Sequence, residues 1–192
     1  TQEERFVEDK LRSNLDSEIN FHSNYDQFLF HPEDISFKLN DLPEVFTQFR
    51  KQCEKNSFVR QLSEEISPLS KENLLDQSFS IPTLNDLGLE IKKSNPNSAF
   101  PFNGGTSQAK LRIQHYFWET KKLSFYKQTR NGLVGVNYSS KFSAWLANGS
   151  ISPRQLYWEI ISYEKEIKKN QSTYWLIFEL IWRDYFKYIS LK

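Results

Sequence analysis

Glu179, Trp182 and Arg183 lie three and four residues apart near the end of the chain. On a helix this spacing sets a carboxylate, an indole and a guanidinium on one face. The surrounding segment, residues 173–192, has helical spacing but is apolar on nearly every side, the pattern of a buried helix. Charges inside a core are costly unless paired or liganded. Two readings follow: a structural Glu179–Arg183 pair with a packing tryptophan, or a site whose three groups meet a ligand. A second cluster is the hydroxyl-rich run Asn137-Tyr138-Ser139-Ser140-Lys141-Phe142-Ser143, which enters a short apolar helix at Ala144–Ala147. Hydroxyls, one lysine and free N–H groups at a helix start make an anion site that would suit a diphosphate. An ordinary serine-rich turn with an N-cap has the same composition. Tyr126 and Arg130 share a face if their helix continues that far; they could hold a phosphate or stack on a ring, or be a core tyrosine under a snorkelling arginine.

The totals narrow the field. The chain has 192 residues, 38% hydrophobic and 16% aromatic, enough for one good-sized domain or part of a larger one. Its mean hydropathy of −0.65 indicates a polar exterior with long polar connections. A net charge of +1 does not mark a nucleic-acid binder, though a local basic patch is compatible with it. Cys53 is the only cysteine, so neither an intrachain disulfide nor a cysteine-cluster metal site can form. His22, His31 and His115 lack metal-ligand spacing, and no metal is expected. No Ser-His-Asp or Cys-His arrangement stands out. The charged N-terminus carries no signal peptide pattern, and the apolar runs are too short to span a bilayer, so a soluble, reducing compartment is expected, cytoplasmic or organellar. With no methionine, the chain is expected to be processed or cut from something longer.

The positioning elements read as helices. Glu3 to Leu15 shows helical spacing at Phe6, Val7 and Leu11. Residues 21–42 form an extended aromatic connector broken by Pro32. Pro43 suits the first turn of a helix running to about Glu54. Residues 55–105, with Pro68, Pro82, Pro96 and Pro101, read as a long surface connection with a short helix near Leu84–Leu87. Beyond Gly104-Gly105, Thr106 or Ser107 caps a helix with Ala109, Ile113, Tyr116 and Phe117 on its apolar face. A helical stretch holding Leu123, Phe125 and Tyr126 follows, then a glycine-rich turn at 130–135. Ser152-Pro153-Arg154-Gln155 forms a capping box for a helix burying Leu156, Ile160, Tyr163 and Ile167. Ser172 or Thr173 caps the last helix. The second half lacks strand-like alternation and reads as all-helical.

Taken in order, several stretches closely resemble the photolyase/cryptochrome family in its DASH-type variant: Thr129–Gly132, Tyr138–Ala147, Ile151–Arg154, Ser172–Trp175 and Phe178–Phe186. Leu42–Lys51 and Phe102–Gly105 resemble that subgroup's connector and the approach to its helical domain. Ala144 stands where the family usually has proline, and Asn148 and Ser150 where it is usually smaller or more apolar. The resemblance covers essentially the whole chain. It implies a mainly α fold: residues 1–20 as the last helix of an α/β antenna domain, 21–105 as interdomain connector, and 106–192 as the N-terminal part of the helical FAD-binding domain. The rest of both domains would lie outside these residues. The chain is thus expected to be a fragment or truncated product with an apolar face on its last helix, inactive alone.

The family's members bind FAD, and excited reduced flavin donates an electron to a cyclobutane pyrimidine dimer flipped out of DNA. By resemblance, Tyr126, Ser139, Ser140, Lys141, Phe142 and Ser143 line the FAD, with hydroxyls and N–H groups on its diphosphate. Arg130 resembles a DNA contact. Glu179 and Trp182 resemble the catalytic lesion-pocket pair, the carboxyl hydrogen-bonding and the indole stacking on a damaged base. Arg183 resembles a partner to flavin or DNA phosphate. For the full-length protein the resemblance implies a deoxyribodipyrimidine photo-lyase with room for an antenna chromophore, a folate-type one or a deazaflavin, in the domain that is mostly outside these residues. A truncated helical interaction or DNA-binding module, or a light sensor without repair turnover, is the alternative.

Overall fold

A computed structural model describes the chain except residues 1, 17, 65–68, 75–79 and 91–94; Pro68 of the connector lies outside the described residues. Among the described residues there is no β-strand, as expected of a mainly α chain. The helices are α1 (Gln2–Asn14), α2 (Phe46–Asn56), α3 (Thr106–Ile113), α4 (Tyr126–Thr129), α5 (Ser143–Ala147), α6 (Pro153–Glu166) and α7 (Gln171–Leu191). A π-helical turn at Gln114–Glu119 extends α3, and a 3₁₀ turn at Lys122–Phe125 leads into α4.

The last helix organises the rest: α7 packs against α2, α4, α6 and the 3₁₀ turn. It starts sharply because Asn170 accepts from the N–H groups of Ser172 and Thr173, while Thr173 Oγ1 accepts from Asn170 N, a reciprocal capping box. The cap is thus Asn170, not Ser172 or Thr173, because its amide oxygen, two and three residues upstream of them, reaches both orphan donors at once. Leu176, Leu180, Ile181, Asp184, Tyr185 and Tyr188 are buried, whereas Phe186 and Ile189 are exposed. The apolar face expected to stand open is therefore largely covered, by the connector on one side and α4 and α6 on the others.

Much of that cover comes from the segment read as a connector. Phe28, Leu29, Phe30, Leu42, Phe46, Phe49, Cys53 and Val59 share one core with Leu156, Ile160, Leu176, Leu180 and Tyr188. Asp184, fully buried, accepts from the N–H groups of Leu29 at 3.0 Å and Phe30 at 2.8 Å, and Tyr188 Oη donates to Phe30 O at 2.7 Å. Two adjacent donors cannot pair within an extended single strand, and the two oxygens of the buried Asp184 carboxyl group accept one each.

Several boundaries differ from those read in the sequence. Pro43 precedes α2 rather than opening it, since Val45 is the N-cap and a 3₁₀ turn occupies Leu39–Asp41. Residues 84–88 form a single turn, closed by Leu89 N donating to Leu84 O and ended by Gly88 at φ 69°. Gly105 at φ 93°, a left-handed backbone that neither Thr106 nor Ser107 adopts readily, is the N-cap of α3. Phe125 is exposed, because the 3₁₀ turn rotates it off the face that buries Leu123 and Tyr126. At α6 only half of the box forms, Gln155 N donating to Ser152 Oγ, with Pro153 at the first position. Ile167 is exposed because α6 ends at Glu166.

Candidate functional site

A cleft of about 300 Å³ opens between α4, α5, α6 and α7. Tyr126, Ser140, Phe142, Ser143, Glu179 and Arg183 line it, over an apolar floor that includes Leu156, Leu176 and Leu180. Six of the ten residues singled out in the sequence thus meet in one place, although they are spread over nearly sixty positions.

Each reaches it for a local reason. Tyr126 opens α4, and Arg130 N donates to Tyr126 O at 2.9 Å, so the helical turn does carry Tyr126 and Arg130 to one side. Phe142 is buried against Tyr116 and Phe117, which fixes the entry to α5 and sets Ser143 at its first position. Gly132 permits the preceding turn, since a Cβ there would lie 2.5 Å from the Tyr138 ring. Trp145, 1% exposed, anchors α5 by packing on Phe100 and Phe102 and donating from Nε1 to Asn103 O. Burial of such side chains contributes roughly 1.5–3 kcal/mol each.

The pairing of charges departs from expectation. Glu179 does not pair with Arg183; it forms an ion pair with Arg130 at 2.8 Å. Arg183 instead donates to Gln27 O at 2.6 Å and Leu146 O at 3.2 Å. Its long fork can span to the connector and to an orphan carbonyl at the end of α5, which the i,i+4 carboxylate does not offer. These residues are half-buried rather than sealed in a core: the side chains of Arg130 and Glu179 are 31% and 29% exposed. Arg130 also lies 5.7 Å from the centroid of the Trp175 ring.

Trp182 lies outside the cleft lining. It stacks on Phe46 at 3.5 Å between centroids and 12° between planes, and on Phe186 at 5.4 Å and 22°. Ser139 and Lys141 are part of the loop wall without lining the cleft. Lys141 has φ 65°, a left-handed turn that re-aims the chain into α5.

Electrostatics fix the protonation states. Burial, reinforced by the Glu179 charge, pushes the Tyr126 phenol up to about 12, so at neutral pH it offers a hydroxyl and not a phenolate. Burial also lowers the Arg183 pKa, partly offset by the Asp184 charge, yet an arginine remains a cation. The cleft therefore combines neutral hydroxyls, the Arg183 guanidinium and a Glu179 carboxylate neutralised by Arg130 over an apolar floor, a chemistry suited to a ligand with an anionic group attached to a ring.

Sequence spacing gave no sign of Arg112, on α3. It is 3% exposed and donates four hydrogen bonds into the 136–140 loop that borders the cleft. Only its place on a face with buried Ala109, Ile113 and Tyr116 could have marked it as a core cation.

No family model matches the chain. Among curated proteins, it is 46% identical over 178 residues to Cryptochrome DASH of Xenopus laevis, covering 91% of this chain and 34% of that protein. It is 46% identical over 169 residues to a chloroplastic/mitochondrial Cryptochrome DASH of Oryza sativa subsp. japonica, covering 85% of this chain and 29% of that one. The crystal structure of a Synechocystis sp. PCC6803 cryptochrome superposes with a TM-score of 0.77 at 41% identity, covering 87% of this chain and 34% of that structure. The chain spans about a third of the length of these relatives.

Proposed function

Since this chain belongs to the photolyase/cryptochrome family, in its DASH-type branch, we propose that it forms the diphosphate-facing and lesion-facing part of a blue-light flavoprotein that repairs cyclobutane pyrimidine dimers in single-stranded or looped DNA. The observation that carries this reading is the cleft itself, which collects Tyr126, Ser140, Phe142, Ser143, Glu179 and Arg183.

The residues present fit FAD. Two serine hydroxyls and a cation suit the diphosphate, and the Tyr126, Leu156, Leu176 and Leu180 walls suit an adjoining ring. At about 300 Å³ the cleft takes the diphosphate and its neighbouring groups, with the remainder of the dinucleotide over its open side. Ser139 and Lys141 contribute backbone from the loop wall. When bound and reduced, the flavin supplies on blue-light excitation the electron that opens the dimer. The chain's own residues bind and orient. Arg130 meets a DNA phosphate, Glu179 accepts from a damaged base and Trp182 stacks on it, the stacking being worth roughly 1–3 kcal/mol. In this reading residues 1–20 end an antenna domain, 21–105 are the connector, and 106–192 begin the FAD-binding domain. A folate-type antenna would belong to the full-length protein. Among the described residues no helix is long and apolar enough to cross a membrane. A soluble reducing compartment is part of the proposal, and the rice relative's name keeps organelles within it.

A second reading, a helical DNA-binding module or light sensor without repair turnover, is favoured by the geometry of two residues. Glu179 is already satisfied by Arg130, and Trp182 already stacks on Phe46 and Phe186. Repair requires Glu179 to exchange partners and Phe186 to swing away; a module without turnover requires neither.

The visible absorption spectrum of the purified protein, with intact mass on the same sample, tests the cofactor reading. Because the chain spans about a third of its relatives, weak, sub-stoichiometric flavin uptake is expected after FAD is added, and near-stoichiometric flavin bands at the mass of this chain would mean that self-association completes the pocket. No flavin at that mass would count against it. Loss of dimers under blue light then separates repair from sensing.

A further inference from the structure

Arg112 is a buried cation whose hydrogen bonds all go to one short loop. Nε donates to Ser140 O at 3.1 Å, Nη1 to Asn137 Oδ1 at 3.0 Å, and Nη2 to Val136 O at 2.7 Å and Ser139 O at 3.1 Å. Its guanidinium carbon lies 4.9 Å from the centroid of the Phe102 ring and 4.8 Å from that of Tyr116. Among the described residues none of the ion pairs involves it, and no carboxylate charge acts on its guanidinium. An uncompensated buried charge is a poor device for stability, since an apolar residue of similar volume is often as good or better there. Its four acceptors instead define the loop that delivers Ser140, Phe142 and Ser143 to the cleft.

The direction of those bonds matters. In a trans peptide the carbonyl and the following N–H point opposite ways, and no cis peptide occurs among the described residues. Drawing the carbonyls of Val136, Ser139 and Ser140 onto the guanidinium turns the N–H groups of Asn137, Ser140 and Lys141 away from it. None of those three N–H groups meets an acceptor among the described residues. Lys141 at φ 65° is followed by Phe142 at φ −75°, ψ −13°. A left-handed residue followed by a right-handed one is the backbone pattern in which successive N–H groups, here those of Lys141, Phe142 and Ser143, turn toward a shared anion.

We propose that Arg112 is a positioning residue for an anionic ligand of the cleft. It holds the 136–140 loop from behind by its carbonyls, leaves for the anion the N–H of Ser140, which lines the cleft, and adds a positive charge that forms no ion pair of its own. The proposal rests on the reading that the cleft takes the diphosphate of FAD.

Binding of FAD and of riboflavin, which shares the ring but lacks the diphosphate, tests it on this chain by fluorescence titration. The proteins are the parent, Arg112→Lys and Asn137→Ala, each with a thermal melt. Arg112→Lys keeps the charge but cannot serve four acceptors; Asn137→Ala removes one acceptor and leaves the arginine. FAD affinity is expected to fall about tenfold or more in Arg112→Lys and by less in Asn137→Ala, with riboflavin affinity held within about twofold. Equal loss for both ligands, or loss that only follows a lower melting temperature, would make Arg112 a structural residue and overturn the proposal while leaving the FAD reading intact. A parent that binds FAD no tighter than riboflavin, or binds neither, sinks the diphosphate reading and the role of Arg112 with it. If Arg112→Lys does not fold, Asn137→Ala decides by the same ratio.

Discussion

Arg130 and Glu179 hold each other at 2.8 Å while both remain about one-third exposed. An exposed pair of this kind stabilises a fold by only about 0–1 kcal/mol, so removing either should hardly move the melting temperature. The DNA reading predicts a different signature for Arg130→Ala: weaker binding to single-stranded DNA and a log–log salt slope shallower by about one. Titrations at several salt concentrations check this; an unchanged slope would assign Arg130 to the carboxylate alone. Trp182→Ala should lower the preference for dimer-containing over intact DNA. Because the partly buried indole stacks on Phe46, the same change should also destabilise the fold, by less than the roughly 3–5 kcal/mol that truncating a fully buried tryptophan costs. Denaturant unfolding measures that cost, and a loss under about 1 kcal/mol would mean that the Phe46 contact is not held in solution. At this scale the sequence disclosed residue types and helical faces. Pairing was not legible, because Arg130 reaches Glu179 only after α4 docks on α7, and a local i,i+4 rule points to Arg183 instead.

The element that ties these residues together is α7, and its tightest link is Asp184. Burial lifts the Asp184 carboxyl from 3.8 to about 7, against the opposing pull of the Leu29 and Phe30 N–H groups, Arg183 and Lys187. The folded state therefore keeps a proton that the unfolded chain releases. Stability drawn from this group is present below the unfolded value and is lost as pH rises through the folded one. Asp184→Asn lacks that titration and leaves one of two N–H groups facing an amide donor. It should be less stable than the parent, and the gap should narrow from about pH 5 to about pH 8 in denaturant melts. A gap that widens over that range would mean that the ionised carboxylate is the stabilising form. Capping gives a simpler check: Asn170→Ala removes the acceptor for Ser172 N and Thr173 N and should cost about 1 kcal/mol in the same melts. The helices themselves were legible, since α3, α6 and α7 follow apolar spacing. Their caps were not, because Gly105 and Asn170 act through backbone geometry that neighbouring hydroxyl residues mimic in sequence.

At the scale of the molecule, the sequence reads residues 21–105 as connector, and Pro-rich, polar composition over 55–105 supports that for its latter part. Residues 28–59 behave otherwise, because Phe28, Phe30, Phe49 and Val59 complete the core that α6 and α7 begin. Periodicity could not disclose this: an extended segment buries alternate aromatic residues only when a partner helix stands beside it. Cys53 makes the distinction measurable. It is fully buried on α2, and burial, with the Asp184 charge adding, pushes its thiol up to about 12. Alkylation needs an exposed thiolate, so the folded protein should resist iodoacetamide at pH 8 and react only as fast as Cys53 becomes exposed. If the connector and the helices form one cooperative unit, the opening free energy seen by Cys53 will match that of the helical circular dichroism signal across a denaturant series. Alkylation while the helical signal is intact would instead mean that α2 and the aromatic segment lift away as a unit of their own. The Asp184 clamp on Leu29 and Phe30 would then be the hinge that opens, and Asp184→Asn should speed the labelling of Cys53 by more than its loss of stability in the helical melt accounts for.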